Sequence, residues 1–255
     1  MSERESIHVH TDGRTAWVTL DRPPLNILDI PMMRSFSLAL ARLTAECDFL
    51  VFQGAGVKGF SAGAEARDHT PDRVAEMLAA FHEIFRQLGR ADCLTIAAVH
   101  GHCLGGGMEL ATFCDFVLAT ESAEFGQPEI KLGCFPPVAL VTLPGLVGLR
   151  AALDLILTGR TISAREAREL GLVTRVVADD ALAQSVDALL GELRALSPVV
   201  LRLSRRALRR NPQADFETEL EAMERLYLGE LMETEDAQEG IRAFLEKRAP
   251  AWRGR

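Results

Sequence analysis

The feature that most constrains how this chain can fold is the stretch at residues 97–111, AAVHGHCLGGGMELA. It opens within an apolar, β-branched run at residues 95–99, which is typical of a buried strand. Three consecutive glycines follow, and the residues after them have the composition of a helix. The first N–H groups of a helix have no partner within it, and the helix dipole is positive there. With Glu109 in the predicted first turn, the stretch would place backbone donors beside a carboxyl group, which is what enolate chemistry at a carbonyl requires.

Units of strand, glycine turn and helix recur along the first half of the chain, about every 40 to 50 residues. The predicted strands are at residues 7–10, 15–20, 49–52, 95–99 and 116–119, and the predicted helices begin near residues 32 and 71. This weak internal repeat predicts an α/β fold built as a spiral of ββα units rather than an open doubly wound sheet.

From about residue 138 the pattern becomes mainly helical. One of these helices has an N-cap signature, with Ser163 followed three residues later by Glu166. The helices predicted here are at residues 151–157, 163–170, 180–195, 197–209, 215–231 and 234–247, with one strand at 172–177. We therefore divide the chain into a core at residues 1–195 and a helical region at 196–255. The apolar stripe of the last helices is expected to pack on a neighbouring subunit or on the chain's own body.

Composition and charge exclude several classes of protein. The chain has 255 residues, of which 48% are hydrophobic and 25% charged, as in an ordinary globular protein. A net charge of −8 argues against nucleic acid or an anionic membrane as the main partner. No apolar run approaches about 18 residues, and the N-terminus lacks a signal-peptide pattern. Five scattered cysteines fit reduced thiols, so we expect a cytoplasmic protein.

Three motifs overlap between residues 54 and 64. Residues 54–59 match the G-x-G-x-x-G of dinucleotide-binding folds, but that motif needs a helix at its third glycine, and Phe-Ser-Ala-Gly opens a helix poorly. The glycines around Ser61 match the nucleophile elbow of α/β-hydrolases, which needs a histidine late in the chain, and none follows His102. The third interpretation is a loop whose N–H at Ala64 faces a ligand, and its plain alternative is a tight connector.

Glu109 and Glu129 are candidates for acid–base chemistry. Glu109 lies among residues too apolar for a solvated helix face, and Glu129 follows Pro128 at a predicted short helix start. Two carboxyl groups that converge on one site can divide the roles of acid and base. The plain alternative for each is a helix-capping or solvated residue.

Two other clusters have plain explanations. His100 and His102 have the spacing of a pair of metal ligands, but no third ligand follows at a recognisable spacing, so we expect no metal site. A basic helix face is most often solvated, and a phosphate-bearing ligand or an intersubunit salt bridge are the other options. The arginines of this face are Arg202, Arg205, Arg206, Arg209 and Arg210.

Over nearly its whole length the chain resembles the crotonase superfamily of enoyl-CoA hydratases and isomerases. The resemblance is carried jointly by residues 60–64 (FSAGA), 100–110 (HGHCLGGGMEL), 125–129 (FGQPE), 157–159 (LTG), 164–172 and 244–248 (FLEKR). It implies a spiral of ββα units with a helical C-terminal region that trimerises, usually as a dimer of trimers. It also implies an acyl-CoA thioester substrate, with coenzyme A as part of the substrate, and no metal or redox cofactor.

Catalytic roles follow from the resemblance by position. The backbone N–H groups of Ala64 and Gly106 would form an oxyanion hole for the thioester oxygen. Glu109 and Glu129 match the two carboxylates of the family's hydratases. Glu109 would orient and deprotonate a water that attacks the β-carbon, and Glu129 would protonate the resulting enolate.

The resemblance also implies contacts with the rest of the substrate. Arg67 matches a basic position near the nucleotide phosphates. Phe244 and Lys247 match residues that reach the coenzyme A of a neighbouring subunit. The other candidates for substrate binding are Ala62, Phe135 and Pro136.

One departure from the family pattern concerns the acyl group. Where ordinary hydratases have a glycine-rich segment, residues 134–138 read Cys-Phe-Pro-Pro-Val, which is bulkier, and stiffer because each proline fixes φ. Together with residues 23–30 and 68–71, this segment is similar to the cyclohexa-1,5-diene-1-carbonyl-CoA hydratases of benzoyl-CoA degradation. In that reaction water adds 1,4, with the hydroxyl at the β-carbon and the proton at the vinylogous carbon.

The resemblance thus implies a hydro-lyase acting on an α,β-unsaturated acyl-CoA, with the cyclic dienoyl-CoA as the specific hypothesis. Two alternatives stay open. One is an enoyl-CoA isomerase, in which one glutamate shuttles a proton and no water is added. The other is a non-catalytic homologue that binds acyl-CoA or takes part in assembly.

Overall fold

The computed structural model describes residues 6–209 and 216–253, so Arg210 and the predicted helix start at Asp215 lie outside the described residues. The strands are β1 Ile7–Asp12, β2 Thr15–Leu20, β3 Phe49–Gly54, β4 Gly59–Ser61, β5 Leu94–Val99, β6 His102–Leu104, β7 Phe116–Thr120, β8 Glu124–Gly126, β9 Thr161–Ser163 and β10 Arg175–Val177. The α-helices are α1 Ile30–Glu46, α2 Val74–Arg90, α3 Gly106–Phe113, α4 Pro137–Val147, α5 Leu149–Thr158, α6 Ala164–Glu169, α7 Leu182–Arg194, α8 Pro198–Arg209, α9 Phe216–Gly229 and α10 Glu235–Leu245. Short 3-10 helices lie at Ala66–His69, Pro128–Leu132 and Leu231–Glu233.

The strands form two sheets. The larger has six strands in the order β1-β2-β3-β5-β7-β10, in which β1 and β2 form an antiparallel hairpin and the other neighbours are parallel. The smaller has four strands in the order β4-β6-β8-β9, of which the first three are parallel. No helix within the described ranges is long and apolar enough to cross a bilayer.

Three successive units build the spiral: β3-β4-α2, β5-β6-α3 and β7-β8-α4. Each unit places its first strand in the larger sheet and its second in the smaller sheet before its helix begins. The predicted fold class, a spiral of ββα units, is therefore confirmed. The units begin at Phe49, Leu94 and Phe116, which gives spacings of 45 and then 22 residues. The regular spacing of about 40 to 50 residues was wrong for the second interval.

Strand β5 shows why its sequence is continuously apolar. All six of its residues are buried. Leu94, Ile96 and Ala98 pack with the apolar side of α7, whereas Ala97 and Val99 join the main core on the opposite face. A parallel strand covered on both faces has no solvent-facing positions for polar residues, so it does not alternate.

Side-chain caps fix the starts of α1, α6 and α10, the last through Thr234. The Asp29 carboxylate accepts a hydrogen bond from Met32 N at 2.9 Å and begins α1. The Ser163 hydroxyl accepts one from Glu166 N at 3.2 Å, which is the predicted cap of α6. The start predicted for α2 near residue 71 was early, because residues 71–73 form a turn before the helix.

The central glycine stretch differs from its prediction in one respect. The strand β6 lies between β5 and the helix, and α3 begins at the second of the three glycines, Gly106. Only Gly105 forms the turn, with a positive φ of 54° that favours glycine. Strands β4, β8 and β9 were also not predicted.

The predicted basic face of α8 binds the chain's own aspartates. Asp115 accepts from Arg205 through one carboxylate oxygen and from Arg209 through the other, each at 2.8 Å. Arg205 is only 8% exposed. Two further pairs are Arg202 with Asp48 and Arg206 with Asp92. The expectation of a solvated face was wrong for buried Arg205, whereas Arg206 and Arg209 are exposed as well as paired, and together these arginines attach α8 to the body of the chain.

Candidate active site

Three candidate segments follow the three parallel strands of the smaller sheet. Ala64 lies three residues after β4, Gly106 begins α3 two residues after β6, and Glu129 lies three residues after β8. Because the carboxyl ends of neighbouring parallel strands lie at one edge of a sheet, these segments come together there.

Glu109 lies in the first turn of α3 and is 3% exposed. Its Oε1 accepts a hydrogen bond from Ala139 N at 2.8 Å. Ala139 is in the first turn of α4, where backbone N–H groups lack partners within the helix. Burial raises the pKa of Glu109 to about 7, although hydrogen bonds from the N–H groups of Ala139 and Val138 act in the opposite direction.

Glu129 lies in the 3-10 helix Pro128–Leu132, which ends at Gly133 in the left-handed region. Its carboxylate lies against Gly105, where an added Cβ would be 2.6 Å from Glu129 Oε1. The other oxygen, Oε2, is buried and has no hydrogen-bond partner among the described residues. Burial first, and then the charge of Glu109, raise the pKa of Glu129 well above its ordinary range.

The two carboxyl groups therefore form an interacting pair. Two buried groups that would carry the same charge do not both ionise readily, and they titrate as a unit. Burial acts on both, and Glu129 carries the additional effect of its partner's charge. The pair can thus hold one proton and one negative charge, as an acid and a base require.

Backbone donors lie beside this pair. A Cβ added to Gly63 would be 2.8 Å from Gly106 N, so the loop after β4 touches the start of α3. Leu28 N donates to Gly63 O and Glu65 N donates to Leu28 O, which leaves the N–H of Ala64 pointing away from Leu28. Gly106 is the first residue of α3, so its N–H has no acceptor within its own helix.

Close packing fixes the start of α3. A Cβ on Gly107 would overlap the carbonyl oxygen of Ser61, and one on Gly106 would be 2.8 Å from Phe81 Cζ. The Ser61 hydroxyl is fully buried, donates to Asn26 O at 2.8 Å and accepts from Gly63 N. It is a structural hydroxyl, which removes the hydrolase interpretation. The dinucleotide interpretation also fails, because its third glycine begins β4 rather than a helix.

The two histidines do not form a metal site with other residues. His100 Nε2 lies 3.0 Å from Gly56 O, and His102 Nδ1 lies 3.2 Å from Glu124 Oε2. Within residues 6–209 and 216–253, no group of three or more histidine, cysteine, aspartate or glutamate side chains is arranged to hold a metal ion.

The other predicted site residues fall into two groups. Ala62, Phe135 and Pro136 lie beside the carboxylate pair: Ala62 precedes the Gly63–Gly106 contact, and the backbone N–H of Cys134 donates to Glu129 O just before Phe135. Three residues are exposed instead: Arg67, Phe244 and Lys247. The Arg67 guanidinium has no carboxylate partner in the part of the chain that the structure describes. Helix α10 packs against both 3-10 helices near the site, and Phe244 at its end is 52% exposed.

Three residues of the site had no signal in the sequence. Asn26 is fully buried, and its amide donates to the carbonyls of residues 55, 59 and 60 and so ties down the segment before Ala64. Ala139 supplies the N–H that holds Glu109. Tyr227 brings a phenol from α9 to the segment after Glu129. Each depends on contacts between segments far apart in the chain, which no local pattern reveals.

The glutamate pair makes the stability of the fold depend on pH. The folded-state pKa of Glu109, about 7, lies above the ordinary value of 4.5, and that of Glu129 is also raised. The folded state thus binds more protons, so this stabilisation is full below about pH 4.5 and is lost as pH rises through about 7. We therefore expect the melting temperature of the double variant Glu109→Gln, Glu129→Gln, relative to that of the wild type, to rise as the pH is raised from about 5 to about 8.

Thermal unfolding across this range measures that gain. Glu121→Gln, at an exposed position, is the matched control. The difference between its melting temperature and that of the wild type should not change with pH. A pH-independent difference for the double variant would contradict the burial argument.

Comparison with known proteins decides the family. The model of the enoyl-CoA hydratase/isomerase family matches residues 11–255. The chain belongs to the enoyl-CoA hydratase/isomerase family. Among its curated relatives, cyclohexa-1,5-dienecarbonyl-CoA hydratase of Thauera aromatica is 38% identical over 259 residues, covering 100% of both chains. Short-chain-enoyl-CoA hydratase of Clostridium acetobutylicum is 34% identical and covers 96% of this chain and 97% of its own.

Solved structures of the enoyl-CoA hydratase/isomerase family share the fold. Carnitinyl-CoA hydratase of Mycobacterium avium superposes with a TM-score of 0.87 at 33% identity, covering 99% of this chain and 100% of its own. An enoyl-CoA hydratase of Mycobacterium avium subsp. paratuberculosis gives a TM-score of 0.87 at 26% identity, covering 97% of this chain and 98% of its own. The predicted family and the prediction of an enoyl-CoA hydratase-type enzyme are confirmed at this level.

Proposed function

We propose that this protein adds water to the activated double bond of an α,β-unsaturated acyl-CoA. The observation that carries the proposal is the pair formed by buried Glu109 and half-buried Glu129, whose Oε2 is shielded from solvent, beside the start of α3. A hydratase needs one group that takes a proton from water and another that gives a proton to carbon. A carboxyl pair that shares one proton supplies both in a single site.

The thioester oxygen binds the N–H groups of Ala64 and Gly106. Support comes from the contact between Gly63 and Gly106 N and from the bridge at Leu28, which turns the Ala64 N–H toward the site. As negative charge develops on the thioester oxygen, donors already held in place stabilise it without reorganisation. The positive end of α3 adds to this effect.

Protons then move through the two glutamates. Ionised Glu109, held by Ala139 N, takes a proton from the bound water while the water oxygen forms its bond to the β-carbon. The electron pair of the double bond moves into the thioester as an enolate. Protonated Glu129 gives its proton to the enolate carbon, and the product leaves as a 3-hydroxyacyl-CoA or its ring equivalent. Net charge on the pair is unchanged, since one glutamate gains the proton that the other loses.

Coenzyme A, as part of the substrate, extends from this cleft toward the surface. Arg67, exposed and without a carboxylate partner among the described residues, binds a nucleotide phosphate. Ala62 lies on the same loop as Ala64, and Phe135 and Pro136 border the acyl group. Phe244 and Lys247, exposed at the end of α10, reach the coenzyme A of a neighbouring subunit.

The second part of the proposal is a homotrimer or a dimer of trimers. Large apolar side chains are exposed on the helices near and beyond residue 149, among them Leu149, Leu153, Leu157, Val199, Val200 and Leu203. Exposed apolar patches mark interaction surfaces. The helical region at residues 196–255 then serves for assembly and the core at 1–195 for acyl-CoA binding.

The substrate within this class is cyclohexa-1,5-diene-1-carbonyl-CoA. The full-length likeness to the Thauera enzyme supports this choice. So does the bulky segment at residues 134–138, which follows Glu129 and whose Phe135 ring packs against Tyr227 with the ring centroids 4.9 Å apart. In the 1,4-addition, Glu129 protonates the vinylogous ring carbon instead of the α-carbon.

A panel of straight-chain, branched and cyclic enoyl-CoA esters tests this proposal spectrophotometrically. We expect kcat/KM for the cyclic dienoyl-CoA to exceed that for crotonyl-CoA by about tenfold or more, because pocket shape discriminates at this scale. In ¹⁸O-labelled water the product should carry one labelled oxygen. Turnover without label would indicate an isomerase, and tight acyl-CoA binding without turnover would indicate a non-catalytic homologue.

A further inference from the structure

Tyr227 is the only tyrosine of the chain. It lies on α9, far in sequence from both glutamates, and is 1% exposed. Its ring packs edge-on against Phe135, with centroids 4.9 Å apart and planes at 72°. A residue of the helical C-terminal region thus touches the segment that immediately follows Glu129.

The Tyr227 hydroxyl has no hydrogen-bond partner among the described residues, although it is buried. A buried hydroxyl without a partner loses its hydrogen bonds to water without compensation. The neighbouring Cys134 thiol interacts with the phenol, but its sulfur is only a weak hydrogen-bond acceptor and its own proton goes to Leu132 O at 3.6 Å. Burial, Cys134, and the charges of Glu129 and Glu109 all raise the pKa of Tyr227, so the phenol keeps its proton and can donate it to a hydrogen bond.

A second unpartnered atom lies just before the segment against which the Tyr227 ring packs. Glu129 Oε2 is buried and also lacks a partner in the part of the chain that the structure describes. The two residues are linked closely, since Cys134 N donates to Glu129 O at 3.1 Å and Phe135 packs on the Tyr227 ring. Two unsatisfied polar groups in one cluster need partners from outside the chain, such as a bound water or a polar atom of a ligand.

Building on the proposed hydration, we propose that the Tyr227 hydroxyl donates a hydrogen bond to the oxygen atom that the reaction adds, first as the bound water and then as the hydroxyl of the product. Glu129 Oε2 contacts the same oxygen from the other side. Tyr227 thereby selects substrates whose reacting carbon lies within reach of α9, and it recognises the hydroxylated product.

Binding of two ligands that differ only in that oxygen tests the proposal. We expect Tyr227→Phe to weaken binding of 3-hydroxybutyryl-CoA about tenfold, the scale of one lost hydrogen bond, and that of butyryl-CoA less than about twofold. The variant keeps the ring and its packing on Phe135. The control Thr44→Val removes a hydroxyl that donates to Leu40 O on α1, and both affinities should stay unchanged. Equal losses for both ligands, or none, would overturn the proposal.

A second measurement uses the wild-type sequence. Because the chain has one tyrosine, 3-fluorotyrosine labelling gives a single ¹⁹F resonance from position 227. That resonance should shift further with 3-hydroxybutyryl-CoA than with butyryl-CoA, and identical spectra for the two complexes would overturn the proposal. Failure here is separable from failure of the proposed function: if Glu109→Gln and Glu129→Gln abolish hydration while Tyr227→Phe leaves both affinities intact, only the role of Tyr227 is lost.

Discussion

Glu129→Gln is expected to lower the turnover of an unsaturated acyl-CoA about 10³-fold, with little change in substrate KM. Glutamine keeps the shape of the side chain and its contact with Gly105, but it has no proton to give to the enolate carbon. Glu109→Gln should cause a loss of similar size for a different reason, because the amide cannot take a proton from water. Stopped-flow or steady-state absorbance at the enoyl thioester band measures both.

A matched control lies five residues before Glu129. Glu124, exposed on β8 and 3.2 Å from His102, should tolerate Glu124→Gln with less than about a twofold effect, as expected for a surface ion pair. Circular dichroism and gel filtration should show all three variants folded. Hydration at near wild-type rate by either site variant would remove that glutamate from the acid–base assignment.

Gly107→Ala is expected to lower the free energy of unfolding by about 3 kcal/mol, the upper range for overpacking of a core. The new methyl group would overlap the carbonyl oxygen of Ser61 and lie 2.8 Å from the Cβ of Ser61. The overlapped carbonyl belongs to the backbone of β4, so no flexible side-chain end can move aside. The start of α3 must shift, which also displaces Gly106 N and Glu109. Urea unfolding followed by tryptophan fluorescence and circular dichroism measures the loss.

The matched control is Gly191→Ala on α7. Nothing lies within 4 Å of a Cβ built at Gly191, and its φ is outside the left-handed region. Alanine there should raise the free energy of unfolding by about 0.5–1 kcal/mol, since glycine is the poorer helix former. Similar effects at both positions would contradict the packing of α3 against Ser61.

The parts of the fold that the sequence predicted are those with long local patterns. The five- and six-residue strands of the larger sheet and the amphipathic helices were found, because their burial repeats over many residues. All four strands of the smaller sheet, β4, β6, β8 and β9, have three residues each, too few for a period of two to be visible. The smaller sheet therefore appeared as glycine turns, and the pairing of β6 with β4 and β8 became evident only in the structure.

The residues of the candidate site show the same difference between local patterns, which a sequence reveals, and long-range contacts, which it does not. Glu109 and Glu129 are candidates from the sequence because each stands next to apolar residues or a helix-start signal. Tyr227 was not, since its role depends on α9 packing against the segment after Glu129, and a lone tyrosine in a helical stripe is indistinguishable from core. The arginines of α8 were misjudged for a related reason: Asp115, their main partner, lies about 90 residues earlier in the chain.

The alternation of strands between two sheets has a consequence for how such a molecule changes over evolutionary time. Ala64, then Gly106 with Glu109, and then Glu129 lie in three successive units of the chain, and each unit is anchored by its own strand of the smaller sheet. A point substitution in one unit can therefore replace one carboxyl group without displacing the residues of the other units. In the proposed mechanism, exchange of one such side chain would change the reaction on the acyl thioester while the backbone donors proposed for the thioester oxygen are retained.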